Sequence, residues 1–89
     1  MLNAITTTRF EKDVKLVRRR GKDLTKMHTV IEILLSGKKL PAQYLDHWLK
    51  GNYSDRRECH IEPDWLLIYK PTPKEIVFER TGTHSDLFK

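Results

Sequence analysis

His47, His60, His84 and Arg80 form a set whose natural chemistry is proton transfer around a phosphate. An imidazole exchanges its proton near neutral pH, so a pair of them supplies both a base and an acid. A guanidinium fork matches phosphate oxygens and steadies charge that builds on them. Breaking an RNA backbone without a metal requires these three groups. A base takes the proton of the 2′-hydroxyl, an acid protonates the leaving 5′-oxygen, and a cation steadies the phosphorane. Each of these residues also has an ordinary reading as a surface or hydrogen-bonded group. Their convergence in space is an expectation.

The rest of the composition bounds that reading. The 89 residues leave room for one domain, 1–89, with a modest core and a shallow surface site. There are 17 Lys and Arg against 12 Asp and Glu, a formal charge of +5. Such a balance favours polyanions, because Lys and Arg gain affinity by releasing counterions from phosphates. Arg18, Arg19 and Arg20 with Lys12, Lys15 and Lys22 read equally as a solvated helix face or as a footprint for RNA. Lys50 and Arg56 are further candidate RNA contacts. Trp65 and Phe78 read as core. Trp48 and Phe88 sit in irregular segments and are candidates for stacking on bases. His28 lies inside the second helix and reads as an ordinary surface or hydrogen-bonded histidine.

Cys59 is the only cysteine, which excludes an internal disulfide and a Cys-rich zinc site, and suits a reducing cytoplasm. A zinc site from His47, His60 and Cys59 lacks close ligand pairs, so neither metal nor cofactor is expected. The N-terminus has no long apolar run and reads as no signal peptide. The longest apolar stretch, Trp65 to Tyr69, falls far short of the ~20 residues that a membrane span needs.

The elements that must position this set follow from spacing. Leu2 to Thr7 reads as a short strand. Thr7 or Thr8 caps a helix carrying Phe10, Val14 and Val17, which Gly21 stops. Asp23 caps a second helix whose stripe is Leu24, Met27, Val30, Ile31 and Leu34, with Gly37 as its stop. Lys38 to Asp55 reads as mostly irregular. Three strands follow, Arg56 to Ile61, Trp65 to Lys70 and Glu75 to Arg80, joined by turns short enough to force antiparallel pairing. The order β-α-α-β-β-β predicts an α+β domain. A helical hairpin covers one face of a mostly antiparallel sheet, and the other face is open. Alternation puts Arg56, Glu58 and His60 on that open face and turns Cys59 and Ile61 toward the helices. Arg80 shares parity with Ile76 and Phe78. A charge after that buried pair implies that the strand leaves the core there, with Arg80 at the rim of the open face. His84 and Phe88 follow on a short tail.

Longer strings carry a resemblance. Asp46-His47-Trp48-Leu49-Lys50-Gly51, Arg57-Glu58-Cys59-His60-Ile61-Glu62-Pro63-Asp64-Trp65-Leu66-Leu67-Ile68-Tyr69-Lys70 and Phe78-Glu79-Arg80-Thr81-Gly82-Thr83-His84-Ser85-Asp86-Leu87-Phe88 resemble the YafQ-type toxins of the RelE superfamily. Lys12 to Leu16 agrees as well, so the resemblance spans essentially the whole chain. It implies a RelE-like fold and a ribosome-dependent endoribonuclease that cuts mRNA in the decoding site. It also implies a DinJ-like antitoxin partner, with operator DNA bound only through the complex. The site it implies is His47, His60, Asp64, Trp65, Arg80, His84 and Phe88. In it His84 is the acid, and His60, oriented by or sharing duty with Asp64, is the base side. Arg80 holds the phosphate, His47 positions RNA or stabilises charge, and Trp65 and Phe88 pack the site or contact bases. The competing readings are a decayed toxin that only binds its antitoxin and a non-catalytic RNA- or DNA-binding module.

Overall fold

The computed structural model describes residues 1–88. Strand β1 (Asn3–Thr6) leads into helices α1 (Thr8–Arg19) and α2 (Leu24–Leu35). A two-residue strand β2 (His47–Trp48) follows between two short 3₁₀ turns, then β3 (Arg57–Glu62), β4 (Trp65–Pro71), β5 (Glu75–Gly82) and a terminal turn of helix α3 (His84–Leu87). The expected β-α-α-β-β-β order and the helical hairpin are borne out. The short β2 inside the irregular stretch and the helix α3 in place of a plain tail are additions.

Local chemistry accounts for both long helices. The Thr7 hydroxyl accepts from the Phe10 N–H at 3.0 Å and the Asp23 carboxylate from the Thr25 N–H at 3.0 Å, so each helix starts at a capped turn. α1 stops at Gly21, whose φ of +85° suits glycine, while Lys22 N–H donates back to Val17 O at 3.1 Å.

The sheet order is β1-β5-β4-β3-β2. β1 runs parallel to β5, with Asn3 opposite Glu75 and Thr6 opposite Phe78, and all other pairs are antiparallel. One face packs on the hairpin. Phe10 and Val17 of α1 and Met27, Val30 and Leu34 of α2 meet Cys59, Ile61, Trp65, Leu67, Tyr69, Ile76 and Phe78. Cys59 and Ile61 face the helices, as their parity requires. The opposite face carries a smaller apolar floor of Leu66, Ile68 and Leu87, flanked by Leu49 and Tyr53.

The strand pairing corrects the reason for the position of Arg80. β5 does not leave the sheet at Arg80 but continues to Gly82. Its register shifts by one residue, since Tyr69 pairs with Phe78 while Ile68 pairs with Arg80. This bulge at Glu79 reverses the parity. Phe78 stays with Tyr69 in the helix-side core, whereas Arg80 joins Ile68 on the other face.

Candidate active site

The register of β2, β3, β4 and β5 sets out the site. His47 stands opposite Glu58, Glu58 opposite Ile68, His60 opposite Leu66, and Arg80 opposite Ile68. All therefore belong to the face away from the hairpin. His84 enters from the first position of α3, whose N-terminus is locked by a capping box. There Thr83 Oγ1 accepts from Asp86 N–H, and Asp86 accepts from Thr83 N–H. Gly82 makes room for that turn, because a Cβ there would stand 2.8 Å from the Asp86 carboxylate.

The three imidazoles form a row. Ring centroids are 6.4 Å apart between His47 and His60 and 5.8 Å between His60 and His84. Each ring is held by Nδ1. His47 Nδ1–H donates to Leu45 O at 2.7 Å, and His60 Nδ1–H donates to Pro63 O at 3.2 Å. His84 Nδ1 lies 2.7 Å from Asp64 Oδ1, which also accepts from the His84 backbone N–H at 2.9 Å. A carbonyl only accepts, so the proton of neutral His47 and His60 sits on Nδ1 and the Nε2 lone pair is left free. Asp64 thus partners His84, and His60 is oriented by a backbone carbonyl instead. The two N–H contacts from His84, first the backbone and then the ring, hold the Asp64 carboxyl below its ordinary range.

Glu58 lies beside this row, and sequence reasoning left it without a role. It is 5 % exposed, and its Oε1 lies 3.4 Å from His60 Nε2 and 3.8 Å from His47 Nε2. The signal that placed it was the shared parity with His60. Ligand atoms of Glu58, His60 and His84 all lie within 4.8 Å of one another, so a metal-capable group exists that the expectation of no metal did not foresee. Cys59 is not part of it. It is buried among the helix-facing core, and burial pushes its thiol well above the usual range.

The remaining expected contacts divide. Arg80 sits at the site but is held from behind by Asp13 of α1, with Nε donating to Oδ2 at 2.8 Å and Nη2 to Oδ1 at 3.3 Å. Arg56 Nε donates to Glu79 at 3.0 Å, and Lys50 is exposed. Phe88 is 42 % exposed and meets Tyr53 edge-on at 6.0 Å, so its ring is accessible to a base. Trp65 is corrected as an RNA contact. It is 1 % exposed in the helix-side core, its indole N–H donates to Thr81 Oγ1 at 2.9 Å, and it has no face to offer a base. Trp48 is exposed but carries Arg57 over its ring at 4.7 Å, and alternation turns it away from His47.

A family model described as the bacterial toxin of type II toxin–antitoxin system, YafQ, matches residues 2–89. The chain belongs to the YafQ family. The mRNA interferase toxin YafQ of Escherichia coli K12 is 49 % identical over 80 residues, covering 89 % of this chain and 87 % of the relative. The YafQ chain in the crystal structure of the E. coli DinJ–YafQ complex superposes with a TM-score of 0.94 at 43 % identity, over 100 % of both chains. A metal-bound toxin from Helicobacter pylori superposes with a TM-score of 0.93 at 39 % identity, over 99 % of this chain and 100 % of that one. The YafQ fold therefore accounts for every element described above. No helix among the described residues is long and apolar enough to cross a membrane.

Proposed function

We propose that this YafQ-family toxin, an endoribonuclease that acts on mRNA, cleaves its substrate in the ribosomal decoding site by attack of the RNA's own 2′-hydroxyl. The observation that carries the reading is the row of imidazoles anchored through Nδ1. His60 Nε2 takes the 2′-hydroxyl proton, the 2′-oxygen bonds to phosphorus, and the bond to the 5′-oxygen breaks as His84 Nε2 protonates it. Arg80 steadies the phosphorane, and Glu58 lies where it balances the proton that His60 gains. His47 positions RNA or stabilises charge, while Lys50, Arg56 and Phe88 meet the surrounding strand. The products are a 2′,3′-cyclic phosphate and a 5′-hydroxyl. A shallow site orders free RNA poorly, so the ribosome supplies the alignment. The exposed Lys15, Arg18 and Arg19 on α1 are suited to its phosphates.

The E. coli relative was crystallised with DinJ, and similarity over the full length supports a DinJ-like antitoxin for this chain, with operator DNA bound only through that complex. The site of action is the cytoplasm. The test is one substituted nucleotide: a 2′-deoxy sugar placed immediately 5′ of the cut on ribosome-bound mRNA. Binding should survive and cleavage should vanish. A normal cutting rate would make water the nucleophile and end this reading.

A second reading concerns a divalent metal on Glu58, His60 and His84, favoured by their clustering and by the relative described as a metal-bound toxin. Ligands at about 2.1 Å from a tetrahedral metal stand about 3.4 Å apart, so these side chains need close by up to about 1.4 Å. Such an ion would compete with the proton that His60 takes up and with the one that His84 delivers.

A further inference from the structure

We infer that Asp13 of α1 is a positioning residue for Arg80 and sets which edge of its guanidinium faces the scissile phosphate. The inference rests on the proposed phosphate role of Arg80. Both side chains of the pair are largely buried, at 13 % and 14 % exposure. Asp13 uses both oxygens, taking Nε at 2.8 Å and Nη2 at 3.3 Å. A guanidinium has five N–H donors in one plane, so this contact leaves Nη1 and the outer N–H of Nη2 as the edge free to meet RNA. The fork has one orientation rather than many.

The backbone around the pair explains why the position is fixed. Phe10 and Val17, on either side of Asp13 along α1, are in the core, so the helix cannot swing. β1 lines the edge of β5 only from Glu75 to Phe78. Beyond it the Thr7 hydroxyl donates to Glu79 O at 2.9 Å, and Asp13 Oδ2 accepts from Thr81 N–H at 3.1 Å. Asp13 therefore brackets the bulge, holding the residue whose side chain the bulge has turned toward the site and the backbone of the next one. A lone arginine at that place would carry the same charge but sweep through many rotamers.

The Thr81 contact also gives Asp13 a purely structural use, and the two uses predict different results. Asp13→Asn keeps the size and an acceptor oxygen for Thr81 N–H, removes one negative charge and loosens the fork. Were charge the whole matter, the variant would bind RNA at least as well and cut faster. Positioning predicts unchanged or tighter binding of ribosome-bound mRNA with a single-turnover rate lower by about 10- to 100-fold, the scale of a small misplacement at a reacting centre. Adding Asp13→Asn to Arg80→Ala should then cause no further loss, because Asp13 acts through Arg80.

The experiment measures single-turnover rate, mRNA concentration dependence and thermal melting for wild type, Asp13→Asn, Arg80→Ala and the double variant. A slow Asp13→Asn with retained binding, and a double variant equal to Arg80→Ala, is the expected result. A wild-type rate in Asp13→Asn beside a slow Arg80→Ala overturns the positioning role and leaves the phosphate role standing. A wild-type rate in Arg80→Ala overturns both. Losses that multiply in the double variant show that Asp13 acts elsewhere and overturn the inference. Where Asp13→Asn melts below the assay temperature, Asp13→Glu decides. It keeps the charge but moves the fork by one methylene, and a wild-type rate in that variant overturns the inference.

Discussion

The Asp64 carboxylate holds His84 at two points, accepting the backbone N–H at 2.9 Å and lying 2.7 Å from Nδ1. One carboxylate thereby fixes both the entry of α3 and the rotation of the ring, and Nε2 is the nitrogen left for the proposed acid step. His84→Ala should lower the single-turnover rate on ribosome-bound mRNA by about 10²-fold or more, the scale of a positioned acid. Asp64→Asn keeps an acceptor and should cost less, about 10-fold by the same scale. His28→Ala, on the exposed side of α2, should leave the rate at the wild-type value. A loss in His28→Ala with none in His84→Ala would misplace the whole site.

Metal should inhibit. Zinc seated on Glu58, His60 and His84 blocks proton uptake at His60 and displaces the proton that His84 donates, so adding it should slow cleavage and a chelator should restore the rate. Glu58→Gln should weaken the inhibition, because an amide oxygen is a poorer ligand than a carboxylate. Cleavage that zinc accelerates would instead make the ion a participant in the reaction.

Thr81 is a stability hinge under the site. It is 1 % exposed, accepts the Trp65 indole N–H at 2.9 Å and donates to Leu66 O at 2.6 Å. Thr81→Val preserves the shape and strands the buried indole donor. The expected loss is about 1–3 kcal/mol in denaturant unfolding, the usual cost of an unsatisfied buried polar group. A variant as stable as wild type would show that the pair contributes nothing net.

Strong acid should weaken the α1–α3 tie. Arg20 donates to both oxygens of Asp86, at 2.7 and 3.2 Å, and this contact chiefly holds the Asp86 carboxyl far below its ordinary range. A carboxyl with a depressed folded pKa stabilises the fold above its unfolded value of about 3.9 and loses that contribution as pH falls through the folded value. Asp64 works in the same direction. The melting temperature should therefore be level near neutrality and fall below about pH 4, with a shallower fall in Arg20→Gln. Identical acid profiles for the two proteins would remove Arg20 from the account.

Within the sequence, what was legible was whatever repeats over a few residues. The stripe Leu24, Met27, Val30, Ile31 and Leu34 has helical spacing, and Met27, Val30 and Leu34 are the residues that α2 buries. The alternation Arg56, Glu58, His60 against Cys59 and Ile61 sorts the residues around β3 onto two faces, because side chains of an unbulged strand alternate. The long strings through His60 and His84 carried the family. What tertiary structure alone decided lies in three places. The bulge at Glu79 shifts β5 by one residue and turns Arg80 to the site face, a matter of register against β4 that no local count along β5 contains. Asp64 joins His84 across 20 positions and Asp13 joins Arg80 across 67, and pairing at such distances depends on how the chain returns on itself. Trp65 went the other way. The residues by themselves read it as core while the resemblance also implied a base contact, and the hairpin packed over it, with Thr81 taking its N–H, leaves only the interior reading.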